Sequence, residues 1–110
     1  MLRGNIYMAE LHPIQDNSVQ GGCRPVIIVQ NDIGNIHSPN VQVIPLTSQK
    51  KKYLPVHVPI HGNGLIKKSI ALTEQLTTIS KADLQFLIGK LDDDTMQKIN
   101  NSIRIQLGLA

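Results

Sequence analysis

Residues 20–32 read QGGCRPVIIVQND, and the residue there best suited to chemistry is Arg24. A residue before proline is driven out of the helical region into extended backbone. Pro25 lacks an amide donor, which suits the first position of a strand. Arg24 is thus expected at the boundary between a loop and a buried strand, Val26-Ile27-Ile28-Val29. Gly21 and Gly22 let backbone N–H groups approach a ligand without side-chain interference. A fixed guanidinium beside open backbone donors makes an anion site. A Gly-Gly hairpin turn with an exposed cation fits the same residues. The pattern is not a P-loop, because no Gly-Lys-Ser/Thr follows.

Histidines move protons near neutral pH. His12 falls in the loop after the first strand, His37 and His61 in turns, and His57 on an edge strand outside its apolar face. No two of them have a spacing that requires them to converge. Cys23 is the only cysteine, so neither an intrachain disulfide nor a Cys-based zinc site can form. Its sequence neighbours offer no base, and it reads as a tolerated loop residue.

The elements that must hold these residues read as β first and helix last. Ile6–Leu11 is a short strand opened by Gly4, and His12–Gly22 is a polar loop punctuated by Gly and Pro. The apolar run at 26–29 suits a strand buried on both faces. NDIGNIHSPN, 31–40, reads as loop. Val41–Leu46 is a third strand, made irregular at one edge by Pro45. TSQKKKY, 47–53, reads as a charged loop. Val56, Val58 and Ile60 alternate with His57 and Pro59, and the prolines mark an edge strand. His61–Gly64 is a turn and Ser69–Leu72 another strand. Ser80 then caps a short helix over 80–83, Gly89 interrupts, and Asp92-Asp93-Asp94 opens a longer helix. Met96, Ile99, Ile103 and Leu107 form one apolar stripe. The expected fold is mainly β with α: a small, partly open β-barrel with short helices and a C-terminal helix.

The chain of 110 residues is expected to form one domain, 1–110, large enough for its own core. Its 11 basic residues outnumber 8 acidic ones, a mild surplus that fits a polyanion-binding patch without requiring one. Tyr7, Tyr53 and Phe86 are the only aromatics. That scarcity argues against stacking successive bases on aromatic platforms, so any nucleic-acid contact rests on phosphates and polar groups. MLRGNIYMAEL has no apolar signal core, and no segment approaches a membrane span. A soluble cytoplasmic protein with no membrane partner is expected.

RGNIYMAEL (3–11), QGGCRPVIIVQNDIGN (20–35), SPNVQVIPLTSQ (38–49), LPVHVPI (54–60), SIALTEQLTTISKADL (69–84) and LDDDTMQKINNSIRIQLGL (91–109) together resemble the MazF/PemK family of toxin endoribonucleases. The GGxRPVxxxQND block and the block of Glu74, Gln75, Thr78 and Ile79 are specific in combination. The resemblance implies an SH3-like barrel that forms a homodimer. It implies cleavage of single-stranded RNA, as in mRNA, at short sequences and with no metal or other cofactor. It also implies a cognate antitoxin whose flexible acidic tail occupies the RNA groove. Contact of the toxin alone with DNA is not expected.

Cleavage of this kind uses the ribose 2′-hydroxyl as internal nucleophile and leaves a 2′,3′-cyclic phosphate and a 5′-hydroxyl. The enzyme must neutralise charge on the phosphoryl oxygens and manage two proton transfers. The resemblance puts the catalytic arginine at Arg24, which holds phosphate oxygens and stays protonated, and the catalytic threonine at Thr47. His57 is a third candidate, as proton shuttle or RNA contact. RNA-binding candidates in the first loop are Asp16, Asn17, Ser18, Gln20, Gly21 and Gly22. In the second loop they are Ser48, Gln49, Lys50, Lys51, Lys52 and Tyr53, although three lysines also suit a solvated loop tip. Gln75 either reads a base or braces the barrel. Ser18-Val19-Gln20 stands where the family usually has Ser-Glu-Gln, and Gly4-Asn5 where Gly-Asp is common, so the recognised bases do not carry over. Two rivals keep the fold without the cleavage: a toxin that binds and poisons DNA gyrase, and a protein-interaction module. The pairing of Arg24 with Thr47 favours cleavage.

Overall fold

The computed structural model describes residues 1–12 and 21–109. Its strands are β1 (Asn5–Leu11), β2 (Gly22–Ile28), β3 (Asn40–Thr47), β4 (His57–Ile60), β5 (Ser69–Leu72), β6 (Thr77–Ser80) and β7 (Leu84–Lys90). Helix α1 (Asp32–His37) lies between β2 and β3, and α2 (Asp93–Gln106) follows β7. The strands form one antiparallel seven-stranded sheet in the order β4-β5-β3-β2-β1-β7, with β6 pairing to β3 off that path.

β3 organises the sheet. On one flank it pairs with β6 over Asn40–Val43 and then with β5 at Leu46 and Thr47. Pro45 falls in the gap between those partners, where a residue without an N–H costs that flank no pairing. The strand is thus central, and its proline marks a change of partner rather than an irregular edge. One apolar cluster gathers Ile6, Ile27, Ile44, Leu46, Ile60 and Ile99 among others, and a second gathers Ala9, Val26, Ile28, Val41 and Val43. Alternate residues of β2 and β3 feed opposite clusters, as the period of a strand dictates. Each isoleucine removed from water contributes roughly 1.5–3 kcal/mol. β4 is an edge strand as expected, and Val56, Val58 and Ile60 are buried.

Three expectations fail. The stretch 31–40 contains a helix: the Asn31 side chain accepts from the Gly34 N–H at 2.8 Å, and Asp32 favours the first turn. Buried Asn35 ties that turn to the Gln30 carbonyl at 3.0 Å. Segment 84–90 is a strand rather than part of a helical third, because it pairs with β1 far away in sequence. Gly89 sits inside it, where a Cβ would lie 1.9 Å from the Asn63 carbonyl oxygen. Finally, the α2 stripe ends early. Ile99 is buried and Met96 and Ile103 pack on the core, but Leu107 is the 55 % exposed C-cap. The short helix at 80–83 is a 3-10 turn, Lys81–Asp83, with the Ser80 hydroxyl accepting from the Ala82 N–H at 3.1 Å.

Candidate active site

Gly22 enters β2 at φ 76°, backbone that glycine adopts without strain. Cys23 and Arg24 already pair with Glu10 and Ala9 of β1, so Arg24 lies inside the strand rather than at its boundary. The half-buried guanidinium donates from Nε to the Gly21 carbonyl at 3.0 Å. Gly21 thus offers Arg24 a carbonyl acceptor. That bond uses one N–H of five and leaves the terminal groups outside it. Among the described residues no ion pair involves Arg24.

β2 and β3 pair as Ile28↔Val43, Ile27↔Ile44 and Val26↔Pro45. The pairing ends there; the same register carried two residues further would set Thr47, the last residue of β3, level with Arg24, and Thr47 itself pairs with Ile70 of β5. Thr47 is 2 % exposed. Its Oγ1 accepts from the Gln49 N–H at 3.2 Å, which turns the chain out of the strand and leaves the hydroxyl proton to donate. Ser48, Gln49, Lys50, Lys51, Lys52 and Tyr53 follow as an exposed stretch.

A cavity of about 570 Å³ opens beside Arg24, lined by Cys23, Arg24 and Pro25, by Leu46 and Ser48, by Gly64–Lys67 of the β4–β5 loop and by Phe86–Ile88 of β7; buried Thr47, between Leu46 and Ser48, is not part of that lining. Lys67 and Phe86 carried no signal in the sequence, because their nearness to Arg24 depends on contacts between distant strands. Cys23 has a carboxylate neighbour after all, across the strand pair. Its Sγ donates to Glu10 Oε2 at 3.0 Å, and this bond holds the thiol above its ordinary range. It is a protonated thiol, poorly nucleophilic.

The structure does not bring His57 to this cavity. His57 Nε2 lies 2.9 Å from Glu74 Oε2, with the imidazole 6 % exposed. It lines a separate cavity of about 220 Å³ with Lys98, Asn101 and Ser102 of α2. Nearby, the Thr73 and Ser102 hydroxyls share a buried bond of 2.8 Å. Gln75 sits half-buried in the same 3-10 turn as Glu74. Asp16, Asn17, Ser18 and Gln20 lie outside the described residues. Among the described residues, no three His, Cys, Asp or Glu side chains gather as a metal site requires, and no helix is long and apolar enough to cross a membrane.

A family model described as the PemK-like, MazF-like toxin of type II toxin-antitoxin system matches residues 2–107. The chain belongs to that family. It is similar to the endoribonuclease MazF of Staphylococcus saprophyticus, with 45 % identity over 99 % of this chain and 92 % of that one. Among solved structures it is similar to an endoribonuclease from a mycobacterial species, in complex with its cognate antitoxin. That structure has 26 % identity and a TM-score of 0.79, covering 100 % of this chain and 95 % of the other. The crystal structure of MazF from Deinococcus radiodurans shares the fold at a TM-score of 0.85 and 18 % identity, over 98 % of this chain and 96 % of that one.

Proposed function

We propose that this protein is the toxin of a type II toxin–antitoxin pair, a metal-independent, sequence-specific endoribonuclease acting on single-stranded RNA. The observation that carries the reading is Arg24 on the lining of an open cavity, outside any ion pair among the described residues, with Thr47 held between the lining residues Leu46 and Ser48. The family match and the relatives named as endoribonucleases support it.

In this reading Arg24 grips the phosphoryl oxygens and stabilises the charge that grows on them. The Thr47 hydroxyl donates to a phosphoryl oxygen. The ribose 2′-oxygen loses its proton and bonds to phosphorus, while the bond from phosphorus to the 5′-oxygen breaks and that oxygen takes up a proton. The products are a 2′,3′-cyclic phosphate and a 5′-hydroxyl. The side chain of Arg24 stays protonated throughout, so it is an electrostatic group and not the base. The basic stretch Lys50–Lys52 and Tyr53, with Ser48, Gln49 and the first loop, contacts the strand. His57 braces the turn that carries Gln75. The sheet closes as an SH3-like barrel, the whole chain acts as one toxin domain, two copies form a homodimer, and the toxin works in the cytoplasm. A cognate antitoxin with a flexible acidic tail covers the same basic groove.

The test is to incubate the purified protein with a long unstructured RNA in EDTA and identify the fragment ends. Cyclic phosphate ends that vanish with Arg24→Ala are expected. Intact RNA with inhibited DNA supercoiling would favour the gyrase-binding alternative, and cleavage that needs magnesium would overturn the mechanism.

A further inference from the structure

The β4–β5 loop, residues 61–68, is held against β7 by contacts that admit no side chain. A Cβ on Gly64 would lie 2.3 Å from the Ile88 carbonyl oxygen, and one on Gly89 would lie 1.9 Å from that of Asn63. Gly62, Asn63 and Gly64 take φ values of 66°, 55° and 93° in succession, which folds the loop sharply. The Asn63 side chain accepts from the Asp92 N–H at 3.1 Å, Leu65 packs on the core, and the Ser69 hydroxyl donates to the Lys67 carbonyl at 3.1 Å. The loop is thus fixed on both sides of Lys67, and Lys67 lines the same cavity as Arg24.

Among the described residues, the charged side chains on the cavity lining are Arg24 and Lys67, both cationic, and neither belongs to an ion pair there. Two cations on separate elements of one cavity lining suit a chain of phosphates better than any neutral or cationic ligand. On the reading of the site as a ribonuclease, we infer that the β4–β5 loop is the second wall of the RNA groove. Lys67 holds a backbone phosphate other than the one gripped by Arg24. It is a binding residue: it contributes strand affinity, while Arg24 acts on the reacting phosphate. The rigid seating matters because a lysine is a flexible point charge, and a mobile loop would add its own ordering cost to each binding event.

The experiment measures the affinity of wild type and variants for a fluorescent 2′-O-methyl RNA of mixed sequence, which cannot be cut, across a salt series. Each phosphate contact on a single strand adds about 0.7 to the slope of log affinity against log salt. Lys67→Ala should reduce the slope by about 0.7, Lys67→Arg should restore it, and Lys68→Ala, which does not line the cavity, should keep it. A Lys67→Ala variant that melts like wild type and keeps both its slope and its affinity overturns the proposal. Cleavage of ordinary RNA is measured alongside. If wild type cuts and Arg24→Ala does not, that overturning result leaves the ribonuclease reading standing. If wild type leaves RNA intact, both fall.

Discussion

The two ends of the sheet handle polar side chains in opposite ways. At the α2 end, His57 meets Glu74 Oε2 at 2.9 Å and Thr73 meets Ser102 at 2.8 Å, so these side chains are paired with one another, although Glu74 Oε1 is buried without a partner among the described residues. At the cavity end, Arg24 among the described residues meets a backbone carbonyl and no ion-pair partner, and the cavity lining carries a second cation, Lys67. A satisfied buried pair holds elements in place. Unpaired cations lining a cavity leave their charge for something outside the chain. The difference separates brace from binding site more sharply than residue type does, since histidine and arginine both occur as catalytic side chains.

The largest effect that could break this contrast is at Arg24. Removing one preorganised donor to a developing oxyanion costs roughly a hundred- to a thousandfold in rate. Arg24→Ala should therefore lower RNA cleavage by that factor with little change in melting temperature. Arg24→Lys should not restore it, because a point charge cannot hold two oxygens in a fixed plane. A large fall in melting temperature with near-normal cleavage would make Arg24 a brace and erase the distinction. Next in size is Gly89→Ala. Its Cβ meets backbone that cannot swing away, so the variant should lose about 3 kcal/mol of stability, read by denaturant unfolding. A loss below about 0.5 kcal/mol would mean that the β4–β5 loop is not seated on β7.

How much of this was legible beforehand depends on where each residue's partner lies. Pro25 fixes Arg24 through its neighbour, so the extended arginine could be read directly. The alternation around Val56, Val58 and Ile60 revealed β4, and Asp92 with its acidic run revealed the start of α2. Thr47 was legible only through family resemblance, because a threonine at a strand end carries no mark of its own. Leu84–Lys90 lacks clean alternation, and its strand identity comes from pairing with β1 across most of the chain. Helix α1 was missed even though Asn31 is a good cap, because Gly34 and the surrounding Asn and Pro residues read as loop. Lys67 was invisible, since it reaches the cavity through a glycine-on-glycine contact that no local pattern encodes.

His57 offers a smaller and sharper test of the contrast. As a brace, its removal leaves the Glu74 carboxylate unpartnered in a partly buried place, at a cost of about 1–3 kcal/mol. The melting temperature of His57→Ala should drop by about 4–8 °C for each kcal/mol lost. Cleavage at 25 °C by the folded variant should fall by less than about tenfold. A cleavage loss as deep as that of Arg24→Ala would place His57 in the chemistry and merge the two ends.

Asp92 gives the smallest effect, and it touches both ends at once. Its carboxylate accepts from the Thr95 N–H at 2.8 Å to cap α2, while its own N–H donates to Asn63 in the loop that carries Lys67. The bond from the Thr95 N–H, above all, holds the Asp92 carboxyl below its ordinary 3.8. A folded value lower than the unfolded one means that the stabilisation is complete above the unfolded value. It is lost as pH falls through the folded value. The melting temperature should therefore hold steady down to about pH 4 and decline below it. Asp32, whose carboxyl is lowered chiefly by the Arg3 N–H, adds to the same decline. Asp92→Asn keeps a capping oxygen but cannot titrate, so its decline should be shallower than that of wild type while Asp32 still contributes. An unchanged acid slope in Asp92→Asn would show that this cap is indifferent to charge. The link between helix and loop would then rest on the Asn63 bond alone.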